Sequence, residues 1–146
     1  MGRILCLDYG RRRTGVALSD ETRTIAQSLT TITHPDEAAL VAAVRKLATE
    51  HEVDLILLGL PLGRAGNPSA RSQEVKRFGA KLAASTGLEV VYADERCSTL
   101  RAGELLAEAG IRPRRRAPAR RRYTTRVDRL AATIILEDYL ETLRSA

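Results

Sequence analysis

The fold class this sequence predicts is α/β, a mixed sheet covered by helices on both faces. Three observations carry the expectation. Five short runs read as strands, the first three separated by turn-sized gaps and the later ones by helix-length segments. Strands joined by tight turns pair antiparallel, whereas strands joined by a helix are parallel crossovers. The runs at 3–8 and 53–58 are apolar on both faces, so cover is needed above and below.

Arg3–Asp8 reads as a central strand, with Ile4, Cys6 and Asp8 on one face and Leu5 and Leu7 on the other. Gly10, Arg11, Arg12 and Arg13 form a turn, and Thr14–Ser19 returns antiparallel. A polar turn over Ser19–Thr22 leads to a third strand over Thr24–Ile32, rich in Thr and Ile. Thr33-His34-Pro35 opens a helix, with Pro35 in its first turn beside Asp36 and Glu37. Leu40, Val41, Val44, Leu47 and Ala48 mark its buried stripe. Val53–Leu58 is a buried parallel strand ending at Gly59-Leu60-Pro61. After a loop over 63–68, a helix from Ser69 to Ser85 turns Val75, Phe78 and Leu82 inward and stops at Gly87. Glu89–Ala93 is the fifth strand, with Asp94-Glu95-Arg96 at its C-terminal end. Ser98 caps a helix through Ala109, ended by Gly110. Arg112–Arg122 has no apolar period and reads as a mobile loop, and Tyr123–Leu143 is the last helix. At 146 residues the whole chain makes one domain, 1–146.

Composition narrows the function. Lys and Arg total 24 against 18 acids, a net charge of +6 that points to polyanionic partners. A compositional bias towards arginine would explain the choice of Arg over Lys but not the clustering. The longest apolar run, Leu55–Leu58, is far too short to cross a bilayer, so no membrane partner is expected. Met1–Cys6 runs straight into a strand rather than resembling a signal peptide. Two cysteines make neither a disulfide framework nor a zinc site, and a cytoplasmic location is expected. Aromatic residues are 3% with no Trp, so nucleic acid would be gripped by its backbone rather than by base stacking.

The sharpest chemical signal is three acids where acids are costly. Asp8 and Glu95 end predicted strands, the edge where α/β folds place their chemistry. Asp128 precedes Ala131, Ala132, Ile135 and Tyr139 at helical spacing, so it heads towards an apolar face. Ionised there, each acid needs a positive partner, an arginine or a metal. Three convergent oxygen donors suit Mg²⁺ or Mn²⁺. Duller readings stand beside these: Asp8 as a turn residue, Glu95 paired with Arg96 or Arg101, and Asp128 on its helix dipole. Asp94, on the opposite face, is exchangeable with Glu95 on this reasoning. Asp20, Asp36 and Asp54 read as turn or cap residues, and His34 and His51 sit at helix ends, too isolated for zinc.

Taken together the motifs resemble the YqgF (RuvX) family of RNase H-like proteins. The first block is Leu7-Asp8-Tyr9-Gly10-Arg11-Arg12-Arg13-Thr14-Gly15-Val16-Ala17, and the second Gly59-Leu60-Pro61 with Gly66 and Phe78. Asp94-Glu95-Arg96 with Ser98-Thr99 is the third, and Val127-Asp128 leading into Leu130-Ala131-Ala132 and Ile135-Leu136 the fourth. The resemblance covers essentially the whole chain. It implies a five-stranded mixed sheet in the order 3-2-1-4-5. It also implies a nuclease, either processing the 5′ end of precursor 16S ribosomal RNA or resolving Holliday junctions. Asp8, Glu95 and Asp128 match the family's acidic triad. Unlike RuvC-type resolvases, the fourth strand here ends without a carboxylate, so the second acid comes from Glu95 one strand further out.

The mechanism this implies is phosphodiester hydrolysis with one or two divalent ions on Asp8, Glu95 and Asp128, one activating water and the other stabilising the leaving oxygen. Arg11, Arg12 and Arg13 follow Asp8 closely enough to hold phosphates, although a solvated turn would look the same. Arg96 adjoins Glu95, and Arg112, Arg114, Arg115, Arg116, Arg120, Arg121, Arg122 and Arg126 form the densest basic segment. That segment is expected to order only on nucleic acid, whether structured RNA or branched DNA. Cys6 should be buried and inert, and an inert thiol is the default for Cys97 too, beside a redox role through Cys97. A monomer or weak homodimer is expected, since no dimer face stands out. A non-catalytic RNA-binding assembly factor is the alternative from another class, and an Asp-x-Gly ATPase is set aside because it needs two such domains.

Overall fold

A computed structural model describes residues 2–61, 69–94 and 117–145, and for 94, 117–128 and 145 the backbone alone. The elements run β1 (Arg3–Asp8), β2 (Arg13–Ser19), β3 (Ala26–Thr33), α1 (Glu37–Glu50), β4 (Val53–Leu60), α2 (Ala70–Thr86), β5 (Glu89–Asp94) and α3 (Ala117–Ser145). They form a five-stranded sheet in the order β3-β2-β1-β4-β5. β1 is antiparallel to β2, and β2 to β3, while β1–β4 and β4–β5 are parallel. This is the hairpin-then-crossover pattern that the element spacing predicts.

Side-chain alternation divides the core into two layers. Leu5, Leu7, Val16, Leu18, Ile56 and Leu58 face α1 and α2, where they meet Leu40, Val44, Val75, Phe78 and Leu82. Ile4, Cys6, Ala17, Leu55 and Leu57 face α3, against Ala132, Ile135, Leu136 and Leu140. Burying this apolar surface on both faces is the main stabilising term, at about 25 cal/mol per Å². Cys6 is fully buried, as its place in the central strand requires.

Polar side chains close the places where the ladder fails. The β1–β4 register shifts between Arg3 and Ile4. On the other side of β1, beyond the Leu5–Leu18 pair, the Ile4 N–H donates to the buried Ser19 Oγ at 2.8 Å. Asp20 ties the next turn by accepting from the N–H groups of Thr24 and Ile25 at 2.7 and 2.9 Å. These two bonds hold Thr24 and Ile25 in the turn, so β3 begins at Ala26 rather than at Thr24. Asp36 caps α1, accepting from the Ala39 N–H at 2.8 Å. Pro35 therefore lies just outside the helix rather than in its first turn. Ser69 and Ser72 form a reciprocal capping box on α2, and Gly87 ends that helix at φ 72°.

The largest departure concerns the basic segment. α3 begins at Ala117, so Arg120, Arg121 and Arg122 belong to a helix and not to the loop that the sequence predicts over 112–122. Pro118 suits a first helical turn, where its missing N–H has no intrahelical acceptor to lose. Ala and Arg then continue the helix on good intrinsic propensity, without needing an apolar period. The expected helix over 98–109, the remainder of the loop at 112–116 and Cys97 lie outside the described residues.

Candidate active site

Asp8 closes β1 and is half-buried, on the face that carries Ile4 and Cys6. The row of side chains beneath it, Cys6, Ala17, Leu57 and Val91, packs under α3. The row containing Asp8 is different. Gly15 stands opposite it in β2, and Gly59 follows Leu58, the β4 partner of Leu7. Gly59 in turn pairs with Ala93 of β5. The row through Asp8, the last that β1 joins, thus runs Thr31, Gly15, Asp8, Gly59, Ala93, with a glycine on either side of the acid.

α3 lies across this same face in a direction set by two contacts. Arg144, near its C-terminus, donates to the Thr24 carbonyl beside the start of β3. Thr133 meets Ser28 at 2.7 Å, and Ser28 pairs with Ala17, the partner of Cys6. Thr133 is therefore level with the Cys6 row. From there Asp128 is five helical residues back, about 7.5 Å of rise. Asp8 is two strand residues on, about 6.6 Å. Asp128 therefore lies on the part of α3 that runs towards the C-terminal edge of β1, the edge at which Asp8 stands. Arg126, Arg122, Arg121 and Arg120 precede it on the same helix. Glu95 follows the last residue of β5 and lies outside the described residues, as do Arg96, Arg114, Arg115 and Arg116.

The β1–β2 turn carrying the other predicted arginines is tied on three sides. Gly10 N–H donates to Thr14 Oγ1 at 3.3 Å, and His34 N–H donates to the Arg12 carbonyl at 2.9 Å. A Cβ on Gly10 would stand 2.0 Å from the Arg13 carbonyl oxygen, so only glycine fits this turn without a shift. Arg11 and Arg12 are exposed at its tip and Arg13 is half-buried. The third tie comes from α2. Arg71 donates to the Tyr9 carbonyl at 2.5 Å, pairs with Glu74 at 3.2 Å and holds its guanidinium 5.0 Å from the Tyr9 ring centre. Glu74 also reaches Arg11 at 3.7 Å. Tyr9 stacks on Phe78 with ring centres 4.3 Å apart and 19° between planes.

Burial pushes the Tyr9 phenol up, and Glu37 and Glu74 add to the shift while Arg71 and Arg11 oppose it. A cleft of 440 Å³ lined by Tyr9, Glu37, Glu74, Arg77, Ala80 and Lys81 opens on this α1–α2 side, away from the face that holds Asp8. His34, just before the α1 cap, is buried beneath the turn with Nε2 3.0 Å from Thr14 Oγ1. Sequence reasoning also missed Arg71 and Glu74. Their spacing of three is common on any helix, and the contact to Tyr9 spans 62 residues.

A sheet in this order, with a carboxylate ending its central strand and a helix laid over the same face, defines the RNase H-like class. Residues 2–142 match the family model RuvX, described as Holliday junction resolvase, and the chain belongs to that family. A Moorella thermoacetica protein named "Putative pre-16S rRNA nuclease" is 39% identical, covering 97% of this chain and 96% of its own. A Syntrophus aciditrophicus protein of the same name is 38% identical, over 97% of this chain and 89% of its own. Among solved structures, T. thermophilus RuvC in complex with a Holliday junction substrate superposes with a TM-score of 0.60. It covers all of this chain and 98% of that one at 13% identity, a likeness of fold.

Proposed function

We propose that this protein is a metal-dependent nuclease that hydrolyses phosphodiester bonds in precursor 16S ribosomal RNA, at its 5′ end. The observation that carries the reading is Asp8 at the end of the central strand, between Gly15 and Gly59, with α3 laid over the same face and its Asp128 end directed to the same edge. Val91 and Ala93 lie on the α3 face, and Glu95 follows β5 in the sequence. The sequence pattern joins Glu95 and Asp128 to Asp8 as one acidic triad. The names of the curated relatives supply the RNA.

The donor set suits a hard divalent cation. Asp8 is a half-buried oxygen ligand with no bulky neighbour across either strand, and all three acids are carboxylates, which favour Mg²⁺ or Mn²⁺ over zinc. Asp8, Glu95 and Asp128 would hold the ion, which when bound supplies an acidified water and charge stabilisation at the leaving oxygen. The chain's own residues supply the rest. Asp8 orients by virtue of its place at the end of a rigid buried strand. Arg11 and Arg12, exposed on the tied turn immediately after it, hold phosphates flanking the scissile bond. Arg13 and Arg96 extend that cationic margin. Arg114, Arg115, Arg116, Arg120, Arg121, Arg122 and Arg126 grip the nucleic-acid backbone by charge and shape rather than sequence.

The test is a cleavage panel of precursor 16S RNA, a four-way DNA junction and single strands, each with Mg²⁺, Mn²⁺ or chelator. Metal-dependent cutting of the RNA, reduced at least a hundredfold in Asp8→Asn, is the expected result. Preferred cutting of the junction, the activity in the RuvX family description, would move the reading to recombination. Binding without cutting under every metal would leave a non-catalytic RNA-binding factor.

A further inference from the structure

Tyr9 has an uncommon set of ties for the first residue beyond a strand. The β1–β4 ladder pairs Leu7 with Leu58, and the β1–β2 ladder ends with Asp8 opposite Gly15. The Tyr9 carbonyl therefore lies past the ladder, where a strand end ordinarily frays. It accepts instead from the Arg71 guanidinium, which is fixed in turn by Glu74 and by the Tyr9 ring. The ring is held from the same helix by stacking on Phe78, itself fully buried. One helix thus grips both the backbone and the side chain of the residue bonded to Asp8, from the opposite side of the sheet.

We propose that Arg71 is a positioning residue for Asp8, holding the Tyr9 peptide so that the Asp8 carboxylate is preset to receive the divalent ion. The inference rests on the metal site of the proposed function and adds a residue that does not touch the ion. Metal affinity is sensitive to partners beyond the ligands because a carboxylate free to swing must be ordered on binding, and losing such a partner typically costs about ten- to a hundredfold in affinity. Arg71 can serve here because its planar fork has donors for both a carbonyl and a carboxylate. Lysine, a point donor, cannot hold both and cover the ring.

Mn²⁺ titration read by electron paramagnetic resonance, with no nucleic acid present, tests this without relying on turnover. Wild type, Asp8→Asn, Arg71→Gln, Arg71→Lys and Glu74→Gln would be compared, each checked for a native circular dichroism spectrum and melt. Asp8→Asn is expected to abolish the tight site. Arg71→Gln should weaken Mn²⁺ binding about tenfold, Arg71→Lys should recover part of that loss, and Glu74→Gln should have a smaller effect than Arg71→Gln. A folded Arg71→Gln or Arg71→Lys protein that both bind Mn²⁺ like wild type would overturn the inference while leaving the metal site intact. So would an Arg71→Gln defect confined to nucleic-acid affinity in chelator, which would make Arg71 a phosphate ligand instead. No Mn²⁺ binding by wild type, or binding indifferent to Asp8→Asn, would overturn the metal site and this inference together.

Discussion

His34 illustrates how one buried side chain couples the β1–β2 turn to solution pH. Its Nε2 meets Thr14 Oγ1, while Nδ1 has no hydrogen-bond partner among the described residues. Burial lowers its pKa below the ordinary 6.5, with Asp36 opposing the shift. The folded protein therefore binds fewer protons at this site than the unfolded chain. Stability from the neutral imidazole is whole above about pH 6.5 and is lost as pH falls through that value towards the folded pKa. The urea midpoint should drop between pH 7.5 and 5.5, and His34→Gln should flatten that dependence. An unchanged profile in the variant would assign the drop to other groups. At this scale the sequence was legible where pattern is local. Alternation placed Asp8 on the face of Ile4 and Cys6, and Asp20 and Asp36 read correctly as turn and cap residues. The grip of Arg71 on Tyr9 and the meeting of His34 with Thr14 were not legible, because each joins segments far apart in the chain and leaves no periodic trace.

Elements were legible wherever an apolar period met a chemical stop signal. α2 is the clearest, with Ser69 before it, Val75, Phe78 and Leu82 inward and Gly87 after it. Its first turn also carries functional weight, since Arg71 is its second residue and Glu74 its fifth. Ser69→Ala removes the acceptor for Ser72 N–H and half of the capping box. The expected cost is about 1 kcal/mol of stability. Fraying of that turn would also loosen Arg71, so Mn²⁺ affinity should fall along with the denaturation midpoint. A stability loss with unaltered Mn²⁺ binding would show that the Arg71 grip outlasts the cap. The start of α3 was not legible because its first turns carry charge and proline rather than an apolar stripe. From residue 131 onward, packing against the sheet marks the helix.

At the scale of the whole molecule, charge and fold act together on a polyanion. Starting α3 at Ala117 places Arg120, Arg121, Arg122 and Arg126 on a helix continuous with the part buried on the sheet. A basic segment already helical loses less conformational freedom on binding than the mobile loop expected from composition. Affinity then depends mainly on the phosphates neutralised, each releasing condensed counterions. The logarithm of the binding constant should fall linearly with the logarithm of salt concentration, by about 0.7 per phosphate contacted on single-stranded RNA. Arg12 is exposed on the tied turn, and Arg11 is 81% exposed in its side chain even while near Glu74. An ion pair that open contributes little, so Arg11 remains available to a phosphate. Arg11→Ala and Arg12→Ala should each reduce the slope by about 0.7, and the double variant by the sum. Fluorescence anisotropy with labelled RNA in chelator, over a salt series, measures this apart from cleavage. A slope untouched by both substitutions would remove the turn from the nucleic-acid surface and leave the grip to the basic residues of α3 and the segment before it.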